Sequence, residues 1–246
     1  MSAVSITAGR ISYENKAFWR NPAAAFFTFA FPLMFLVIFN LLFGGDSTYY
    51  VAVICAFSII TATYTNLAIS VSFSRDLGIL KRIRGTPMPP AAYLAGRVIH
   101  SILISILLVV IVTVAGALFY DVQVPTDTMP AFLITVMVGA AAFCSLGLAM
   151  TAAVPNADAS PAVVNATILP LLFISDVFIP TDQAPDWLTT IADVFPIKHL
   201  SEAMQTAFNP ATEGAGFQWD HLGVIALWGV AGLLLAIRFF SWEPRR

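Results

Sequence analysis

The chain has 246 residues, 59% hydrophobic and 11% charged, with a formal net charge of −2. Ordinary soluble domains carry roughly 25% charged residues. That contrast, with a mean hydropathy of +0.84, excludes a soluble domain and predicts an integral membrane protein.

Six apolar runs follow, at residues 23–43, 50–74, 98–119, 130–154, 161–179 and 221–240. Each is near the ~20 residues a helix needs to cross the hydrocarbon core. They are continuous, whereas strands of a membrane barrel are about ten residues of alternating character. The expected fold class is therefore all-α, a single transmembrane domain over residues 1–246. Placing the N-terminus in the cytosol puts eleven of the twelve cations on or near the inner side and leaves Lys198 alone outside, as the positive-inside rule asks. A cleavable signal peptide is not expected, because Glu14 and three cations interrupt the first twenty residues.

Residues 5–20 read as an interfacial helix. Ile11, Tyr13, Phe18 and Trp19 supply rings and apolar bulk, and Arg10, Lys16 and Arg20 supply cations for phosphates. The alternative is a tail without packing. Asn21-Pro22 turns the chain into the first span, which carries Pro32 and is rich in phenylalanine.

The second span is unusually polar, from Ser58 through Thr61, Thr63, Tyr64, Thr65 and Asn66 to Ser74. Such groups need partners inside hydrocarbon. Serine and threonine find them on neighbouring helices and on their own backbone carbonyls, whereas Tyr64 and Asn66 are costlier to leave unpaired and are expected to face a cavity.

Between the second and third spans lies a basic, proline-rich island, residues 75–96. Arg75, Lys81, Arg82 and Arg84 alternate with Leu77, Ile79, Leu80 and Ile83 at helical spacing, predicting a short amphipathic helix. Gly85-Thr86-Pro87 stops it, and Pro89-Pro90 stiffen the return. Such an island either fixes topology or receives a push from a cytosolic partner.

His100 sits at the inner end of the third span, and small residues from Gly139 to Ala149 prepare the fourth for close contact. The fifth span contains Pro170, expected to break it, and ends near Asp176. Beyond it, residues 180–218 lie outside, with two short amphipathic helices separated by Pro196 that pack on the outer ends of the spans or dip into the leaflet.

Several chemistries find no motif. There is no phosphate loop of the form GxxxxGK[ST] and no HExxH, so ATP is not expected to bind this chain by that route. His100, His199 and His221 are too scattered in sequence for a metal cluster, and no metal is expected. Cys55 and Cys144 read as packing residues. A membrane-embedded hydrolase or lipid-modifying enzyme, with Ser145 and His100 as its pair, remains an alternative, as does a scaffold without transport. Ionisable residues are nearly absent from mid-span, which argues against proton or sodium coupling and for energy borrowed from a partner.

At Asp76-Leu77-Gly78, Lys81, Arg82, Arg84 and Thr86-Pro87 the chain resembles the permease subunit of type-2 ABC exporters, the family of daunorubicin-type drug exporters and polysaccharide and lipid export permeases. Ile179-Pro180, Pro185-Asp186-Trp187-Leu188 and Phe195-Pro196 resemble a second, outer signature of that family, while Ser175-Asp176 departs from its usual Ser-Gly. The resemblance implies six spans, dimerisation with an identical or different permease copy, and a separate ABC ATP-binding subunit that carries ATP and Mg. It implies a coupling helix formed by Arg75, Asp76, Gly78, Lys81, Arg82, Arg84, Gly85, Thr86, Pro87 and Met88. It also implies outer gate helices with Pro185, Trp187, Leu188 and Pro196, and a path lined by Tyr64, Asn66 and Asn165. Membrane lipid is an expected partner and nucleic acid is not. The expected location is the cytoplasmic membrane, with both termini cytosolic and an apolar or amphipathic substrate exported.

Overall fold

The computed structural model describes residues 3–86, 88–175, 177 and 185–243, and among these the side chains of all but 3, 4 and 186. Pro87, Asp176, Ile179, Pro180, Arg245 and Arg246 thus lie outside the described residues. Among the described residues every regular element is helical, and no strand occurs.

Helix α1 (Ala3–Trp19) leads to α2 (Pro22–Phe43), whose start is set by Asn21 and Pro22. The Asn21 side chain accepts from Ala24 N at 3.2 Å, and proline at the first helical position costs no hydrogen bond. After the positive-φ pair Gly44 and Gly45, Asp46 caps α3 (Ser47–Ile60) by accepting from Thr48 N at 2.8 Å. Residues 61–65 form a π-helical turn in which Asn66 N donates to Thr61 O, five residues back. The same span then continues as α4 (Asn66–Asp76).

The remaining helices are α5 (Ile79–Arg84), α6 (Pro90–Tyr120), α7 (Met129–Met150), α8 (Ser160–Ile174), α9 (Asp186–Ala192), α10 (Pro196–Phe208) and α11 (Trp219–Phe239). Among the described residues, five helical segments are long and apolar enough to cross a membrane: α2, the α3–α4 unit, α6, α7 and α11. The α3–α4 unit is central. Every residue from Tyr50 to Ile60 is buried, and α2, α6, α7 and α10 pack around it.

Three boundaries differ from the sequence reading. Helix α6 begins at Pro90 rather than 98, because Pro90 occupies its first position behind an extended Pro89, so the prolines start a helix instead of stiffening a return. Pro170 does not break α8; it sits on the exposed side of a helix that runs through it. Helix α8 itself has 15 residues.

Between spans no hydrophobic force distinguishes a neighbouring helix from lipid, so close approach and dispersion decide packing. Helices α7 and α11 meet through small residues: a Cβ on Gly229 would lie 2.9 Å from Ala142 Cβ, and one on Gly232 would lie 2.9 Å from Leu146 N. On its other side α7 receives the π turn. A Cβ on Gly147 would stand 2.8 Å from Tyr64 O and 3.1 Å from Tyr64 Cα, backbone atoms that cannot swing away.

Gly147→Ala is therefore expected to cost about 1–3 kcal/mol, the scale of overpacking a closed contact. Gly223→Ala, where no atom lies within 4 Å, is the neutral comparison. Unfolding midpoints of the two variants in detergent check this, and equal midpoints would contradict it.

Helix α10 turns Ile197, Leu200, Ala203, Met204, Ala207 and Phe208 inward. Phe208 meets Phe132 edge-on at 5.5 Å, and Thr128 Oγ1 donates to Ala207 O at 2.5 Å. It packs against α3, α7 and α11.

Candidate functional site

The basic corner is built where α4 ends. Gly78, at φ +68, adopts the left-handed conformation that glycine takes without penalty, and its N–H donates to Arg75 O at 3.0 Å. That turn starts α5 in a new direction. Leu80 is fully buried, in a cluster with Leu67, Val71, Tyr93, Cys144 and Leu148, while Ile83 and Met88 pack at its edge. Lys81, Arg82 and Arg84 are exposed. Thr86 ends the helix, donating its hydroxyl to Ile83 O at 2.7 Å and accepting from Met88 N at 3.3 Å. Gly85 is exposed beside it.

Two residues of the island do something other than face outward. Arg75 is 1% exposed and donates to Thr151 O at 2.8 Å and Val154 O at 2.7 Å, carbonyls of the turn that follows α7. Asp76 accepts from Ala157 N in the turn before α8. Together they clamp the α7–α8 turn to the root of α5. Leu77 is 64% exposed, so the apolar series expected from Leu77 through Ile83 is not one face.

Sequence reasoning missed a second cluster. Glu14 of α1 pairs with Arg10 one turn earlier and accepts from Arg97 Nε of α6 at 2.9 Å. Arg97 also donates to Ser70 O at 3.1 Å and Ser74 Oγ at 2.7 Å, both on α4. The Arg10 and Arg97 guanidiniums lie 4.3 Å and 5.3 Å from the Tyr93 ring, a cation–π arrangement. Gly96 lets α1 approach, since a Cβ there would meet Arg10 Cγ at 2.5 Å. An acidic residue in a basic, amphipathic segment was the available signal. On α1, Ile11 and Phe18 are half-buried, whereas Tyr13 and Trp19 are exposed, and Trp19 stacks on Phe29 at 5.6 Å.

Most hydroxyls of the second span bond to their own helix, as with Ser58 to Ile54 O at 2.7 Å and Thr63 to Ile59 O at 2.6 Å. Tyr64 instead reaches across to Thr167 of α8, with the two oxygens 2.8 Å apart, and lines a largely apolar cavity of about 270 Å³ with Phe143, Leu171 and Trp228. Asn66, exposed, lines two others: about 330 Å³ with Phe18, Phe27, Phe31 and Thr65, and about 150 Å³ with Glu14, Arg97 and His100. Asn165 is half-buried on α8 and lines none of these three. Ser145 gives its hydroxyl to Ala141 O at 3.0 Å, away from the cavity His100 lines.

Residues 11–209 match the family described as ABC-2 type transporter. The chain belongs to that family. It is 26% identical over 231 residues to the daunorubicin resistance ABC transporter permease protein DrrB1 of Streptomyces coeruleorubidus, covering 89% of this chain and 79% of the relative. It is 23% identical over 202 residues to proteins described as the transport permease ycf38 of Porphyra purpurea and of Pyropia yezoensis, covering 78% of this chain and 69% of each.

At the opposite end of this ABC-2 chain, Pro185 and Pro196 each precede or open a helix, α9 and α10. Trp187 and Ile191 of α9 and Val194 just after it are exposed, Leu188 is half-buried and Ala192 is buried, so the large side chains Trp187 and Ile191 face outward. Phe195 stacks on Trp228 at 5.7 Å, and Trp228 Nε1 donates to Val194 O at 2.8 Å, fastening the α9–α10 link to α11. The histidines expected to stay apart do not. His199 and His221 come together with Glu202, because α10 packs along the start of α11 and cancels their separation in sequence.

Proposed function

We propose that this chain is the membrane-spanning subunit of an exporter that moves an apolar or amphipathic compound, drug-like or lipid-linked, and is driven by a separate ABC ATP-binding subunit. The observation that carries this reading is the division of α5: Leu80 holds the helix to the bundle while Lys81, Arg82 and Arg84 are left for a partner. A helix anchored to the span root through Gly78, Asp76 and Arg75 transmits displacement to α4 and to the α7–α8 turn. That is a two-state coupling and needs no chemistry on this chain.

In this proposal α5 is cytosolic, both termini are cytosolic, and α9–α10 lie on the outer side of the cytoplasmic membrane. Helix α8 serves as the sixth span; its 15 residues rise about 22 Å, which a locally thinned bilayer accommodates. Residues 1–246 act as one domain beside a second permease copy, with α1 at the lipid headgroups. ATP and Mg belong to the partner subunit, and nucleic acid has no part. Tyr64, Asn66 and Asn165 are assigned to the path, with Tyr64 and Asn66 supported by their cavities.

Co-expression with an ABC ATP-binding subunit tests the reading. The two chains are expected to co-purify and to hydrolyse ATP faster when a lipophilic compound is added. A chain that binds no such subunit across candidates encoded beside it would reject the proposal. For the path, Asn66→Leu is expected to change the ratio of efflux rates between polar and apolar compounds several-fold. An unchanged ratio across a compound series would remove Asn66 from the path.

A further inference from the structure

Three side chains far apart in sequence converge at the α10–α11 contact. His199 and Glu202, three residues apart on α10, share a face, and His221 stands in the first turn of α11. His199 Nδ1 and His221 Nδ1 are 2.8 Å apart, and Glu202 Oε2 is 3.3 Å from His221 Nδ1.

The proton positions follow from the partners. His199 Nε2 lies 2.8 Å from the backbone oxygen of Asp193, which can only accept, so Nε2 carries the proton and Nδ1 presents its lone pair. A single proton on His221 Nδ1 must then serve both His199 Nδ1 and the Glu202 carboxylate. Three electron-pair donors therefore point at one place that a single proton now bridges.

We propose that His199, Glu202 and His221 form a binding site for a transition-metal dication of the zinc class, which takes the place of that proton and staples α10 to α11. The three donor atoms lie within 4.8 Å of one another. Two imidazole nitrogens on tetrahedral zinc stand about 3.3 Å apart, given Zn–N bonds near 2.0–2.1 Å, so the ligands need to open by only about half an ångström. Binding moves the His221 proton from Nδ1 to Nε2 of the same ring, which remains neutral, and no other bond breaks.

The surroundings agree with this assignment. A ligating histidine usually donates its second ring N–H to a carbonyl or carboxylate, fixing ring and tautomer, and the Asp193 carbonyl already does this for His199. Lys198 places a cation 3.8 Å from Glu202 Oε1, but its shorter contact is to Asp193 Oδ1 at 2.5 Å, and Oε2 is the oxygen that faces His221. All three ligands are half-buried, which leaves an entry path and room for water as a fourth ligand. Two imidazoles and one carboxylate favour zinc, cobalt or nickel over magnesium or calcium, which take oxygen ligands.

The test uses the full chain, purified in detergent, stripped with a chelator and titrated with Zn2+ alone against a chromophoric competitor. One equivalent per chain is expected to bind and to raise the unfolding midpoint. Glu202→Gln and His221→Gln are each expected to weaken binding by more than about tenfold, since even outer-shell partners act on that scale. His100→Gln should leave zinc affinity as it is. Binding that survives both ligand substitutions, or that falls equally in His100→Gln, overturns the site. Should the ligand variants fail to fold, X-ray absorption of the zinc-loaded wild type decides: two imidazoles with light-atom ligands support the site, and a sulfur ligand from Cys55 or Cys144 refutes it.

Discussion

Replacing Lys81, Arg82 and Arg84 together by glutamate is expected to abolish stimulation of the ATP-binding subunit while leaving this chain inserted and folded. The three side chains are exposed, and none supplies the contact that holds α5, which is the burial of Leu80 among Leu67, Val71 and Tyr93. Single exposed charges contribute little, about 1 kcal/mol or less. Reversing all three at one rim sets like charges against any complementary surface, which costs several kcal/mol, so the partner's affinity should fall at least about a hundredfold. Nucleotide-dependent ATPase activity and efflux in reconstituted membranes measure the effect, and the unfolding midpoint of the isolated chain should stay unchanged. A K81Q/R82Q/R84Q variant separates lost attraction from added repulsion, and protease access to the N-terminus checks orientation. Full stimulation and efflux in the glutamate variant would end the assignment of α5 to coupling.

Arg75→Met should do the reverse, harming the fold before any partner is involved. The guanidinium is sealed from solvent, and its bonds to Thr151 O and Val154 O are charge-assisted. Each such bond contributes about 1.5–3 kcal/mol, and each buried carbonyl left without its donor costs about 1–3 kcal/mol. Methionine fills part of the volume but leaves both carbonyls without that donor. Arg75→Lys, a point charge without the planar fork, should fall between the two. Thermal unfolding in detergent checks the order; a methionine variant as stable as wild type would show that the α7–α8 turn is held by something else.

The contrast between Arg75 and its neighbours marks where sequence reading stops. Five spans were legible because long apolar runs are their own signal, and α5 was legible because cations and apolar residues alternate at helical spacing until Gly85-Thr86-Pro87 stops them. Which residues of that run are exposed and which are buried was not. Leu77 and Leu80 look like one helical stripe only if one helix contains both, and the left-handed Gly78 resets direction between them. Arg75 counts as one more cation in a basic island until the carbonyls of the α7–α8 turn are in place. The same holds for Glu14 with Arg97, 83 positions apart, and for His199 with His221, 22 apart. Helical periodicity reports what lies along one helix, and these sites are made by the crossing of two. Helix α8 misled for another reason: proline inside an apolar run reads as a break, yet with its ring outward the helix continues through it.

The π turn at residues 61–65 also sets an angle. It takes up one residue more than α-helical winding would, and each residue of an α-helix advances about 100°. Every side chain of α4 is thus rotated by about 100° from where a straight continuation of α3 would carry it. In the actual setting Leu67, Val71 and Arg75 point inward and Asn66 points out. Wound as a plain α-helix, the same letters would aim Arg75 away from the Thr151 and Val154 carbonyls and move Asn66 off its cavities. Five threonine-rich residues are thereby the clock that times α4 against α3, and Gly147, with no side chain, is what gives that clock its space.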